Sequence, residues 1–210
     1  MLKWSSLRLR VLFIGLLSLL LATPASAHHA MDGRLPMNGV EGFLSGLAHP
    51  VIGLDHLAFV VAAGLLAVTK RQGLAIPIAF VVAALGGTGI HLMGVNLPGA
   101  ELLVAASVLS FGVLLALPSS PNLVLMAGLA GLAGIFHGYA YGESIVGAEN
   151  TAVVAYLLGF TAMQLAIALG SAKLGRLAVK LIDVTPPVLR NVGFVLSGFG
   201  AALLVSRLGL

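Results

Sequence analysis

Six runs of apolar residues constrain the fold of this chain more than any other feature. They lie at about 42–69, 74–93, 100–117, 122–142, 151–172 and 188–207. Each is near the ~20 residues that a helix needs to cross a bilayer. Only 9% of the residues are charged and the mean hydropathy is +1.09, whereas a soluble domain is about one quarter charged. The sequence therefore predicts an all-α membrane protein, a bundle of about six transmembrane helices.

The N-terminus has the three parts of a secretory signal peptide. A basic start is followed by apolar residues at 11–22 and by the small residues Ala25-Ser26-Ala27. We expect cleavage after Ala27, so that residues 1–27 are a signal peptide and residues 28–210 form one transmembrane domain that begins with His28. The alternative is an uncut anchor, for which the apolar part is short.

The charges of the loops predict the orientation in the membrane. An even number of spans after a cleaved signal places both termini outside. The loops predicted to be cytoplasmic carry Lys70, Arg71, Lys173, Arg176, Lys180 and Arg190. Arg34 and Arg207 lie on the other side, so the distribution follows the positive-inside rule. We expect a multi-pass protein of the bacterial inner membrane with a periplasmic N-terminus.

The first apolar run contains the sequence His49-Pro50-Val51-Ile52-Gly53-Leu54-Asp55-His56, and no other side chain between Gly42 and Val68 is ionisable. Ionisable groups at membrane depth are costly, so they usually mark an ion path, a proton relay or a ligand site. This octet is the best clue to function in the chain.

A proline inside this octet predicts a broken helix. On a regular helix His49 and His56 would share one face about 10 Å apart, too far for one ion. Pro50 cannot donate to a helical carbonyl, and Gly53 follows within a turn, so we expect a kink or a short unwound stretch. Such a break would turn His49, Asp55 and His56 toward one ion. The alternative is a buried Asp–His pair that only holds helices together.

Further ionisable residues are predicted to lie toward the outer side of the membrane. They are His28, His91, Glu101, His137 and Glu143. Individually each has an ordinary explanation: Glu101 suits a helix N-terminus, and a histidine near the interface is easily solvated. Together with the deeper octet they indicate a cation funnel. His137 and Tyr141 are four residues apart, so they share a helix face.

The types of side chain narrow the choice of ion. Imidazole with carboxylate suits nickel, cobalt, zinc or copper(II), whereas magnesium and calcium prefer oxygen ligands. Cysteine is absent, which excludes thiolate sites. No phosphate-binding loop of an ATPase occurs. A divalent ion gains about 4.6 kcal/mol per 100 mV when it moves inward, so uptake driven by the membrane potential is sufficient.

Glycines recur every three or four residues in the fourth run, at Gly128, Gly131, Gly134, Gly138 and Gly142. Such a face lets helix backbones approach closely. We interpret most of these glycines as packing positions; Gly86, Gly87 and Gly89 in the second run either pack in the same way or loosen that helix.

These residues resemble the HupE/UreJ family of nickel/cobalt permeases. The pattern H-P-x-x-G-x-D-H is matched in full by the octet; the cleavable signal, Glu101 with Ser107 and Gly112, and His137-Gly138 with Gly142-Glu143 also match. The resemblance implies a permease that supplies nickel, sometimes cobalt, for hydrogenase, urease or cobalamin synthesis. Family members often have a second histidine where this chain has Tyr141, and another in the fifth span, where residues 161–170 contain none.

The sequence-based conclusion is a permease that is not an enzyme and has no prosthetic group. Its partners are Ni²⁺ or Co²⁺ as transported ion and the lipid bilayer, without nucleic acid; whether it forms a homo-oligomer stays open. The metal ligands are predicted to be His28, His49, Asp55, His56, His91, Glu101, His137 and Glu143. Two alternatives remain: an intramembrane metal-dependent hydrolase and an accessory protein that handles metal without transporting it.

Overall fold

The structure is a computed structural model that describes residues 34–181 and 187–209. This part of the chain consists of helices joined by short loops. The helices are α1 (Gly39–Ile52), α2 (Leu54–Leu66), a 3₁₀ turn (Ala67–Thr69), α3 (Ala75–Leu92), α4 (Ala100–Ala116), α5 (Leu123–Glu143), α6 (Asn150–Leu181) and α7 (Pro187–Leu208). The predicted all-α class is confirmed. The predicted signal peptide and His28 lie outside the described residues.

The helices coincide with the six apolar runs of the sequence. By length and composition α3, α5, α6 and α7 are each able to cross a membrane, and α1 with α2 forms a fifth, broken span bent by 76°. The remaining helix, α4, is a shorter apolar helix. The described part of the chain is therefore consistent with about six transmembrane segments.

Close backbone contacts define how α1 and α2 pack on α6. A Cβ atom at Gly42 would overlap the carbonyl of Ala152, and one at Gly64 would overlap that of Ala168. The residue numbers rise together, so the broken span runs parallel to α6. Small residues at such contacts bring helix axes close together, which maximises van der Waals packing in lipid.

The other helices form two further pairs. α3 runs parallel to α5, since the numbers of their contacting residues rise together. α4 and α7 are antiparallel, because Glu101 at the start of α4 pairs with Arg207 at the end of α7. At the opposite end Arg190 of α7 donates to the Ala116 carbonyl at 3.0 Å. We call the end where α1, α4 and α6 begin the upper end, and the opposite end the lower end.

The glycine face predicted for α5 is only partly used. Cβ atoms at Gly134 and Gly138 would overlap backbone carbonyls of α3, and one at Gly142 would lie 2.7 Å from the Cβ of His91. A Cβ atom at Gly131 would make only a distant contact, with the carbonyl of Ala79 at 3.9 Å. A Cβ atom at Gly128 would have no described atom of a neighbouring helix within 4 Å. The packing role predicted for Gly128 is therefore wrong, because no part of the described chain packs on α5 at that position.

The apolar core lies between α2, α3 and α4. The ring of Phe59 lies 4.6 Å from that of Phe80 and 4.4 Å from that of Phe111, and all three side chains are buried. The ring of His137 packs on Phe59 with a centroid distance of 4.6 Å. One of the buried histidines, His137, therefore lies against this aromatic cluster.

Candidate metal site

The first span is broken at Gly53, as the proline predicted. Gly53 has φ −72° and ψ 95°, which ends α1, and α2 begins at the next residue at an angle of 76°. A Cβ atom on Gly53 would lie 2.6 Å from Cδ2 of His56 and 3.2 Å from Oδ1 of Asp55. A larger residue here would therefore displace the side chains of His56 and Asp55.

Asp55 lies in the first turn of α2, which the break places within the bundle. Its Oδ1 accepts the backbone N–H of His56 at 2.8 Å. A helix N-terminus favours negative charge, so this position stabilises a carboxylate in apolar surroundings. The same oxygen is 3.9 Å from Nε2 of His56, which is too long for a direct hydrogen bond.

Three histidines from different helices meet beside this carboxylate. His49 of α1, His56 of α2 and His137 of α5 have exposed fractions of 7%, 6% and 0%. The His56 ring lies 5.6 Å from that of His49 and 4.9 Å from that of His137. The break thus brings His49 and His56 closer than the about 10 Å separation on a regular helix, and α5 supplies the third imidazole.

His56, His137 and Ser107 form a chain of hydrogen bonds. The two Nδ1 atoms of the histidines are 2.8 Å apart, and Nε2 of His137 is 2.8 Å from the Ser107 hydroxyl oxygen. Ser107 donates its only proton to the Val104 carbonyl at 2.7 Å, so it accepts from His137. With neutral rings, this assignment makes His137 accept the Nδ1 proton of His56.

A second polar group holds His49 in place. Nδ1 of His49 is 2.7 Å from the Tyr156 hydroxyl and 3.3 Å from that of Ser144. The two hydroxyls are 3.0 Å apart, and each also reaches the Tyr141 carbonyl. Sequence reasoning did not identify Tyr156 or Ser144. In the sequence each is recognisable only as a hydroxyl-bearing residue in or beside an apolar helix, and many such residues have a purely structural role.

Tyr141 packs against two of the histidines. Its ring centroid is 4.3 Å from that of His56 and 4.8 Å from that of His49, and its side chain is fully buried. The predicted shared face of His137 and Tyr141 on α5 agrees with this position. The tyrosine ring therefore fills space beside the imidazoles in a chain that has no second histidine there.

The imidazoles are close together but are not arranged around a common point. Among residues 34–181 and 187–209 no three His, Asp or Glu side chains form a group able to hold a metal ion as they stand. In this arrangement nitrogens of the rings contact each other and hydroxyl groups. Ligation would require rings to rotate out of these hydrogen bonds.

The other predicted ligands lie nearer the upper end of the bundle. His91 packs on Tyr139 with a centroid distance of 4.2 Å, and its buried Nδ1 has no hydrogen-bond partner in the part of the chain that the structure describes. Glu101 forms the ion pair with Arg207, and Glu143 is exposed at the end of α5. Their roles as ligands stay predictions.

Comparison with known proteins gives a consistent match. The sequence profile described as HupE / UreJ protein matches residues 16–203. A curated relative, Protein HupE of Rhizobium leguminosarum bv. viciae, is 31% identical over 187 residues, which cover 88% of this chain and 93% of the relative. No solved structure matches the chain.

Proposed function

The chain belongs to the HupE/UreJ family, and we propose that it is a permease that carries nickel or cobalt ions inward across the bacterial inner membrane. The family is associated with nickel and cobalt uptake for hydrogenase and urease. One observation carries the proposal: buried His49, His56 and His137, from three apolar helices, meet beside Asp55. Ionisable groups at this depth are costly, and in membrane proteins they mark ion pathways.

These four side chains are the proposed ligands of the ion in transit. Imidazole and carboxylate bind nickel and cobalt well. Around one ion with metal–nitrogen bonds of about 2.0–2.1 Å, adjacent ring nitrogens lie about 2.9–3.4 Å apart. The Nδ1 atoms of His56 and His137 are already 2.8 Å apart. Ring rotation with a small separation would therefore exchange the hydrogen bond for two bonds to the ion.

The upper end of the bundle is proposed to face the periplasm and to collect the ion. Glu143 and Glu101 are exposed there, and His91 lies between the ends of α3 and α5. His28, which would begin the mature chain, is proposed to act with them. Carboxylates at a cleft entrance raise the local concentration of cations and their rate of entry. The ion pair between Glu101 and Arg207 would have to open for Glu101 to take part.

Metal uptake tests the permease directly. Nickel and cobalt uptake at submicromolar concentration is measured in cells that lack their own high-affinity transporters. The parent chain is compared with His56→Ala and Asp55→Asn, and with Glu149→Gln as a matched carboxylate control. Glu149 is exposed and accepts from Thr151 at 3.1 Å, so its replacement leaves the imidazole cluster unchanged. Membrane insertion of each variant is confirmed by the amount of protein in the membrane fraction.

We expect uptake by the parent and the Glu149→Gln variant, and loss of uptake with Asp55→Asn and His56→Ala. Competition between nickel and cobalt in the same cells identifies the preferred ion. A correctly inserted parent that imports neither metal would refute the proposal and favour a metalloenzyme or an accessory protein. Normal uptake by Asp55→Asn would refute the role of that carboxylate.

A further inference from the structure

Four buried polar atoms of α5 and α6 have no hydrogen-bond partner within residues 34–181 and 187–209. They are the hydroxyl oxygens of Tyr141 and Thr161 and both amide atoms of Gln164. Gln164 is completely buried. Each unsatisfied buried group costs about 1–3 kcal/mol, and several together in a native protein usually mark an unfilled water or ion site.

The bend in the first span helps to explain why these atoms have no partner from α1 or α2. α1 packs on α6 at Tyr156, and α2 packs on α6 at Ala168. Between these contacts the first span bends by 76° at Gly53. Thr161 and Gln164 lie on α6 between the two contacts, and no polar side chain from the described part of the first span pairs with them.

Thr161 and Gln164 lie further toward the lower end than Tyr156, whose hydroxyl contacts His49. Gln164 is eight residues beyond Tyr156, which is about 12 Å along the helix axis. Side chains of a helix lean toward its N-terminus, so the amide leans back toward the histidines. There it lies near the Tyr141 hydroxyl, although the two do not meet in hydrogen-bond geometry. Tyr141 in turn packs on His56.

We propose that Tyr141, Thr161 and Gln164 form a second, neutral polar subsite, which receives the divalent cation with part of its water after it leaves the imidazoles. This inference rests on the proposed permease function. Gln164 presents an unpaired donor as well as an unpaired acceptor. A bare cation satisfies only acceptors, whereas an ion that brings water satisfies both kinds of group.

A neutral subsite also suits release of the ion. Hydroxyl and amide groups bind nickel or cobalt more weakly than imidazole and carboxylate do, so the ion does not remain there. Below His56 the first span is apolar from Leu57 to Val68. The polar groups of α6 therefore provide the continuation of the path that the first span does not.

Comparison of binding with transport tests this role. Gln164→Leu removes the polar atoms at nearly constant volume, and Gln72→Leu makes the same substitution at an exposed loop position. We measure the nickel Kd of purified full-length protein in lipid nanodiscs, and the Vmax and KM of nickel uptake in cells. We expect Gln164→Leu to lower Vmax about tenfold and to leave Kd within about twofold, and Gln72→Leu to change neither. Unchanged Vmax, or a Kd weakened as much as Vmax, would overturn the inference.

Gln164→Glu provides a test that does not need transport. A carboxylate is a stronger metal ligand of almost the same shape, so it should retain the ion at the subsite. Equilibrium dialysis should detect one more bound nickel ion per chain than in the parent, and uptake should be slower. No additional bound nickel in a folded variant would contradict a cation subsite. Absence of uptake by the parent would refute the permease, whereas the bound-ion count still tests the subsite.

Discussion

Replacement of Tyr156 by phenylalanine tests whether the geometry around His49 matters for metal binding. The change removes a hydroxyl 2.7 Å from Nδ1 of His49 and keeps the ring that packs on Phe160 at 5.7 Å. Ser144, at 3.3 Å, is then the nearest remaining hydroxyl to this nitrogen. The imidazole loses the shorter of these two hydrogen bonds, which contributes to the direction of its ring.

Two independent considerations give the same magnitude for the free energy of nickel binding that Tyr156→Phe should lose. Loss of a partner for a buried polar group costs about 1–3 kcal/mol. Loss of a hydrogen bond that orients a metal-binding histidine typically lowers metal affinity about 10–100-fold, which corresponds to about 1.4–2.8 kcal/mol. We therefore expect the nickel Kd of Tyr156→Phe to rise about 10–100-fold.

The assay is equilibrium dialysis of nickel against the purified protein in nanodiscs, with uptake KM as a second measure. Tyr139→Phe is the matched control: it removes a hydroxyl that accepts the Leu97 N–H at 3.2 Å and keeps the ring that packs on His91. It leaves the hydrogen bonds described above for the three clustered imidazoles in place. Its Kd should change less than about threefold, because the lost hydrogen bond is not made to any of these imidazoles. If Tyr156→Phe binds nickel as tightly as the parent, His49 is not a ligand positioned by this hydroxyl.

Three further predictions concern helix packing and the hydrogen bond between Ser107 and His137. Gly53→Ala should weaken nickel binding about tenfold or more, since its Cβ would lie 2.6 Å from the His56 ring and overpacking costs about 1–3 kcal/mol; the nickel Kd checks this. Gly138→Ala should lower the thermal unfolding midpoint in detergent, whereas Gly128→Ala, where the space is open, should leave it unchanged or raise it; equal midpoints would refute the packing argument. Ser107→Ala removes the hydroxyl 2.8 Å from the imidazole of α5 and should raise the uptake KM about tenfold; an unchanged KM would show that this hydroxyl does not orient the ring.

Much of the fold follows from local features of the sequence. The lengths of the apolar runs predicted the helices, because a lipid environment requires each span to satisfy its own backbone hydrogen bonds. The break in the first span was predictable because Pro50 and Gly53 act on their own backbone within one turn. The octet with Asp55 was recognisable because ionisable residues are rare in an apolar run.

The contacts of the site were less accessible to sequence reasoning. His56 and His137 are 81 residues apart in the chain, and their contact depends on how α5 is rotated about its axis. Five glycines recur along α5, but only the structure shows that Gly134 and Gly138 face α3 while Gly128 faces open space. Glycine spacing predicts a face, but not which helix packs against it.

The sequence by itself determined the membrane-spanning helices, the break in the first span and the polar residues within it, because these depend on the lengths of apolar runs and on the backbone of single residues. Only the tertiary structure decided that Tyr156 contacts His49, that Ser107 contacts His137, and that the buried amide of Gln164 finds no hydrogen-bond partner among the described residues. Those relations depend on the rotation and pairing of helices distant in the chain, which close packing of small residues fixes only when all the helices are in place.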